Sequence, residues 1–416
     1  MEYKKISINN TDINLVNTKR FKTIGITLFL YKDFNKDDIE YLNLLSKILI
    51  YSTKKYNTKN KFNTETEELY NINFISRVTC ISNIEVFALT IEFINPSYTE
   101  ALMYKKSINL FKEVIFNPNV VDNSFEEDTF NLIKRNIIYA LRSKKDNTQK
   151  YAYDRYKEIM FEGLPNSYSL SGKEENYDKI NSKNLYSFYK KIFTSFNLSL
   201  SVVGNIDEDI LLNSLKPFIN KFSKIKVPIN FQLPSTDKKF IKKEEETSFN
   251  QSHLLIGYDF SPLTFFETKY CLSLYNIILG SMGNSVLFNI VREKYSLCYS
   301  IGSSFTSYNP SITILSSISS VSYEKAIDAI NESLSIMSDT DKIKDLLSSA
   351  KKTSSIYINN IYDDYFALGE FYFLKNITKM DDLEVRKKLY DSVTTQDIVN
   401  INKKMKQKVI YFLRGK

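Results

Sequence analysis

The sequence predicts an α+β fold made of two homologous halves, each an antiparallel sheet packed with helices. Three observations carry this expectation. A strand–helix order recurs at an offset of roughly 220 residues, too long for a solenoid repeat and suited to a duplicated domain. A charged stretch containing prolines separates the two copies. The length of 416 residues provides for two or three domains at about 150 residues each.

Taken in order, the first half opens with the apolar run Thr23–Tyr31, which predicts a strand. A helix is expected over Asp37–Tyr51, where Ile39, Leu42, Leu45, Ile48 and Leu49 recur at helical spacing. Strands at Cys80–Ile81 and Val86–Phe93 follow, and Ser97 reads as the N-cap of another helix, with Glu100 in its first turn. A helix beginning near Asn181 then runs into the strand Leu198–Gly204. The second half repeats this order with a strand at Leu254–Tyr258, a helix from about Thr264 to Leu279 and a strand at Ile312–Leu315. Ser322 is again placed to cap a helix. A last helix starts at Thr394, with Asp397 completing a capping box, and leads into Val409–Gly415. Pro228, Pro234, the lysine doublets and Glu244–Glu246 mark residues 224–250 as a linker. The expected domains are therefore residues 1–223 and 251–416.

Composition removes several classes of function. The net charge is +8, from 56 basic against 48 acidic residues. The basic residues form short doublets (Lys54-Lys55, Lys144-Lys145, Lys238-Lys239, Lys242-Lys243), not the stripe that follows a phosphate backbone. No nucleic-acid partner is expected. Cys80, Cys271 and Cys298 form no CxxC pair, which argues against a disulfide framework and for a reducing compartment. No apolar run follows Met1–Ser7, and no segment reaches the ~20 apolar residues of a membrane span. The expectation is a soluble, cytoplasmic protein without a membrane span.

Most catalytic motifs are missing. There is no GxSxG, no neighbouring Cys–His pair and no P-loop. The run Gly280-Ser281-Met282-Gly283 lacks the third glycine of a dinucleotide fingerprint and follows a helix. The one histidine, His253, sits in a strand and reads as a packed or surface residue, not a ligand.

The run from Leu279 to Ser300 contains Leu287-Phe288, Arg292-Glu293-Lys294, Leu297 and Tyr299-Ser300. It resembles the second-domain signature of the insulinase family, which includes pitrilysin and the mitochondrial processing peptidase. Asn181–Asp207 resembles the end of that family's first domain. Val393–Ile398 resembles the matching helix start in the second, and Phe62–Asn73 resembles its acidic-leucine segment. The resemblance spans nearly the whole chain and implies two insulinase-type domains forming a clamshell.

It also implies where chemistry should be. Active members carry His-x-x-Glu-His on the first helix, two imidazoles gripping Zn²⁺ with the glutamate as general base. Aligned on Ser52-Thr53-Lys54-Lys55-Tyr56, these positions hold Asn43, Ser46 and Lys47, and the distal ligand falls near Lys134 or Arg135. None of them suits zinc, and one histidine cannot supply two. The family's second-domain Arg and Tyr, which stabilise the tetrahedral intermediate, match Arg292 and Tyr299. The resemblance thus implies a non-catalytic subunit without a cofactor of its own. It would lend an Arg–Tyr pair to a catalytic, zinc-bearing paralogue that cleaves peptides. The alternative is a peptide-binding or scaffolding protein without a proteolytic role.

Overall fold

The computed structural model describes residues 1–9, 11–143, 147–222 and 239–416. The Lys144-Lys145 doublet and the expected linker up to Lys238 lie outside the described residues. The chain forms two compact units. One takes Met1–Arg142, Tyr168–Phe231 and Ile361–Met380, and the other Ser143–Ser167, Gln232–Asn360 and Asp381–Lys416.

In the first unit the strands are β1 (Glu2–Ile8), β2 (Thr11–Asn17), β3 (Thr23–Asp33), β4 (Asn73–Ile81) and β5 (Ile84–Ile94). A two-residue hairpin, β6 (Val120–Val121) and β7 (Ser124–Phe125), stands apart, and β8 (Asn197–Gly204) completes the set. The six-stranded sheet runs β1-β2-β8-β3-β5-β4, with β2 and β8 parallel and all other neighbours antiparallel. Every residue of β8 is buried, as expected for an interior strand covered on both faces. On one face, Leu42 and Leu45 of the helix Ile39–Ile48 join Ile108 and Phe111 of the helix Met103–Phe116. Leu185 and Ile192 of the helix Ser182–Ser195 complete that cover.

In the second unit the strands are β9 (Ile241–Glu246), β10 (Ser252–Phe260), β11 (Cys298–Thr306), β12 (Ser311–Ile318) and β13 (Met405–Arg414). Their order is β11-β12-β10-β13-β9, with β9 and β13 parallel. Reading β9, β13, β10, β12 and β11 against β2, β8, β3, β5 and β4 gives the same order, with the parallel pair in the same place. The repeat seen in the sequence is therefore a repeat of topology. β9 lies inside the stretch expected as linker. Its charges are used across strands: Arg414 of β13 pairs with Glu244, and Arg155 pairs with Glu245 at 2.9 Å.

Two helices belong to the unit whose sheet they cover, not to the half of the chain that encodes them. Tyr365–Thr378, capped by Asp364, packs on the first sheet, where Phe373 stacks on Phe29 at 4.1 Å and meets Tyr31 edge-on at 5.2 Å. Thr148–Met160 packs on the second sheet, where the fully buried Tyr156 bonds Thr313 at 2.9 Å between hydroxyl oxygens. Each helix sets a tyrosine over a strand glycine. A Cβ on Gly25 would lie 2.3 Å from the Tyr365 ring, and one on Gly257 would lie 2.3 Å from Tyr156 Oη. The bare backbone at these two positions allows the helices to approach.

The predicted helix starts fare differently. The Thr394–Asp397 capping box forms, and Asn181 builds another with Asn184. Ser97 does not cap. Asn95 accepts from the Ser97 N–H at 2.9 Å, Pro96 opens a short turn, and the helix proper starts at Met103. Asn is at least as good a cap as Ser, and proline suits the first turn that follows. Ser322 stands at the N-cap position of Tyr323–Ile336, but its side chain makes no capping bond. The helix expected over Thr264–Leu279 is widened to π-type turns at Glu267–Cys271 and Ile277–Ser281.

Candidate functional site

The helix Ile39–Ile48 buries its apolar face and turns its polar groups to structural use. Asn43 Nδ2 donates to the Leu170 carbonyl at 2.5 Å, and Ser46 Oγ donates to the Asn43 carbonyl at 2.7 Å. Lys47 is exposed. The buried carboxylate of Glu40 accepts from the Lys173 N–H at 2.9 Å and from Asn176 Nδ2 at 3.0 Å. Lys134, in the helix Glu127–Ser143, donates to the Ile180 carbonyl at 2.9 Å, and Arg135 is exposed. Asn43, Glu40 and Lys134 thus hold the segment 170–180 in place. These donors do not fit zinc. Asn43's amide nitrogen and Lys134's ammonium are hydrogen-bond donors in use, and Ser46 is bonded within its own helix. Among the described residues no group of three or more His, Cys, Asp and Glu is placed to hold a metal ion.

His253 is a packed residue. It is buried in β10, with Nε2 2.8 Å from Thr148 Oγ1 and Nδ1 3.0 Å from Ser317 Oγ. Burial holds its pKa below the usual imidazole value, which favours the neutral ring.

Arg292 and Tyr299 come together in the same unit, two strands from His253 at the same end of the sheet. Leu287 and Val291 anchor the segment Phe288–Lys294 in the core, and Arg292 projects from its outer side. The segment closes with Ser296 N–H donating to the Arg292 carbonyl at 3.0 Å. Ser296 takes a left-handed conformation (φ 51°), and β11 begins two residues later. In β11, Cys298 pairs with Ile318 and Ser300 with Ser317, so Tyr299 is the extra residue of a bulge in an edge strand. Bulges re-aim side chains, and here the phenol is 82% exposed. The Arg292 guanidinium lies 4.8 Å from the centroid of the Phe288 ring and 5.8 Å from that of Tyr299, and its side chain is 42% exposed. Beside Tyr299 is a shallow recess of about 390 Å³ lined by Asn250, Gln251, Cys298, Ser317 and Ser319, among others. Phe288 entered the sequence reading only as part of the Leu287-Phe288 motif and not as a site residue. Its spacing of four residues from Arg292 on a helical turn was the available signal.

A guanidinium and a phenol set this way present hydrogen-bond donors to solvent and can hold a carbonyl or an anionic oxygen. The Tyr299 phenol is largely exposed, and the Arg292 side chain is half-exposed over the Phe288 ring.

Residues 179–352 match the family described as peptidase M16 inactive domain. Over 410 residues, 97% of this chain and 95% of the relative, the sequence is 24% identical to a Bacillus subtilis (strain 168) protein described as probable inactive metalloprotease YmfF. The chain is similar to the M16 peptidase family. Its two-unit fold is the M16 fold from end to end. It is similar to a conserved protein from Enterococcus faecalis V583 (TM-score 0.89, 21% identity, 100% of this chain and 99% of that one). It is also similar to a peptidase M16 inactive domain from Pseudomonas fluorescens (TM-score 0.79, 15% identity, 100% and 99%). Among the described residues, no helix is long and apolar enough to cross a membrane.

Proposed function

We propose that this chain is the non-catalytic subunit of a heterodimeric zinc metallopeptidase. It binds peptide substrate and contributes Arg292 and Tyr299 to the zinc site of a catalytic paralogue. The observation that carries this reading is the bulge at Tyr299. It turns a large aromatic side chain out of the sheet, within 5.8 Å of Arg292 and with no packing role that would explain it. Hydroxide attack on a peptide carbonyl builds negative charge on oxygen, and a preplaced guanidinium and phenol lower that barrier.

The test is co-expression with an M16 paralogue that carries the His-x-x-Glu-His motif, followed by size-exclusion chromatography and a peptide-cleavage assay. A complex should form, and cleavage should require both chains. Arg292→Ala and Tyr299→Phe should each lower kcat about a hundred- to a thousandfold, the usual cost of one oxyanion donor. Assembly and thermal stability should stay intact. Arg292→Lys should rescue only in part, because an ammonium lacks the planar fork of the guanidinium. Poor assembly or reduced stability with near-normal rates would assign both residues to the scaffold. Chelator-sensitive cleavage by this chain alone would refute the non-catalytic reading.

A further inference from the structure

Three ionisable side chains meet inside the first unit with little water around them. The Lys32 ammonium, near the end of β3, pairs with the Asp38 carboxylate and lies 3.4 Å from Glu85 Oε1. Their side chains are 14%, 8% and 2% exposed. Asp38 ends the short turn Lys36–Asp38 that leads into the helix Ile39–Ile48, and Glu85 is the second residue of β5. Glu85 Oε2 accepts from the Asn35 N–H at 3.1 Å, and Asn35 Nδ2 donates to Asp38 Oδ1 at 3.2 Å. The Phe34 N–H donates to the Asn83 carbonyl at 2.8 Å. These bonds tie the turn at residues 34–38 to the β4–β5 hairpin at 82–85.

The cluster has two carboxylates and one ammonium. With all three ionised it would carry one excess negative charge where solvent cannot screen it. A carboxyl pair in that setting retains a proton. We propose that this cluster is a pH-operated latch: neutral Glu85 clamps the turn to the hairpin, and opening the turn lets Glu85 ionise in water, so rising pH favours release. What it controls is the start of the helix that bears Asn43, Ser46 and Lys47.

The surroundings agree. Burial, followed in part by the neighbouring Asp38, pushes the Glu85 carboxyl up to about 8, against the pull of the Asn35 N–H and Lys32. From β4, Cys80 sits opposite Glu85 in register, and burial and then Glu85 push its thiol up to about 12, so it stays neutral. From the helix, burial and then Asp38 raise the Tyr41 hydroxyl, which also stays neutral. The Phe196 ring lies 4.8 Å from the Lys32 ammonium. Asp33, Lys36 and Asp37 on the same segment are exposed, and water screens them. A carboxyl that titrates higher closed than open stabilises the closed form fully below the ordinary carboxyl range. That advantage is lost as pH rises to about 8.

Hydrogen exchange of the amides at 34–38 and 83–85, corrected for intrinsic base catalysis, reads the opening directly. In the wild-type chain the opening constant should rise by up to about tenfold per pH unit between roughly pH 5 and 8 and then level off, the slope of one linked proton. In Glu85→Gln, whose amide can accept from Asn35 and donate to Asp38, the constant should be flat. A variant that keeps the wild-type slope would overturn the latch. If Glu85→Gln fails to fold, carboxyl-carbon NMR of the wild-type chain decides: a Glu85 midpoint near 8 supports the latch, and one in the ordinary range near 4.5 overturns it.

Discussion

Replacing Phe373 by alanine tests whether the helix Tyr365–Thr378 truly serves the first unit. Phe373 is 1% exposed, stacks on Phe29 at 4.1 Å and meets Tyr31 at 5.2 Å, within a small cluster that also holds Ile84, Val86 and Ala88. Truncation removes the whole ring and leaves a cavity between a helix and a rigid sheet that cannot collapse into it. Phe→Ala in such a site costs about 3–5 kcal/mol. For a unit of this size that is a fall in Tm of roughly 6–20 °C. Thermal melting gives the size of the effect, and hydrogen exchange read by mass spectrometry gives its location. Protection should fall in β3 and β5 and hold in β10 and β12. Tyr156→Ala should give the mirror result, with β10 and β13 loosened and β3 and β5 unchanged. If Phe373→Ala instead loosened β10 and β12, the reasoning about which sheet this helix covers would be wrong.

Other outcomes can be checked on the same preparation. Gly257→Ala should cost about 1–3 kcal/mol by overpacking against Tyr156 Oη. Part of that loss should disappear in the double variant with Tyr156→Phe, read as coupling in denaturant midpoints. His253 is the only histidine, so one imidazole resonance reports its titration, with a midpoint below the ordinary 6.5 because the ring is buried. A lowered folded value means the neutral ring's contribution to stability is present above pH 6.5 and is lost as pH falls through the folded midpoint. A midpoint at or above 6.5 would contradict the packed, neutral ring. After dialysis the protein should hold no stoichiometric zinc by elemental analysis, since Asn43, Ser46 and Lys47 occupy the ligand helix. One tightly held ion per chain would refute that expectation.

The duplication is legible in the residues alone, because the order of strand and helix periods is written locally and repeats. The sequence specified the Thr394–Asp397 cap, a bond between residues three apart. It also ruled out a two-histidine metal motif, because one histidine is a count and needs no fold. It placed Arg292 and Tyr299 in the chain, and the family resemblance alone implied that they act as a pair. The rest depends on long-range packing. A helical stripe on Tyr365–Thr378 or Thr148–Met160 says that one face is buried, not which sheet buries it. That depends on where Gly25 and Gly257 bare the backbone under Tyr365 and Tyr156. The run Lys242–Glu246 reads as linker because its charges hide the strand, and it pairs because β13 lies alongside and Arg155 and Arg414 meet its glutamates. The exposure of Tyr299 comes from a one-residue slip in the pairing of β11 with β12. Register is a property of two strands together, and neither strand's sequence contains it.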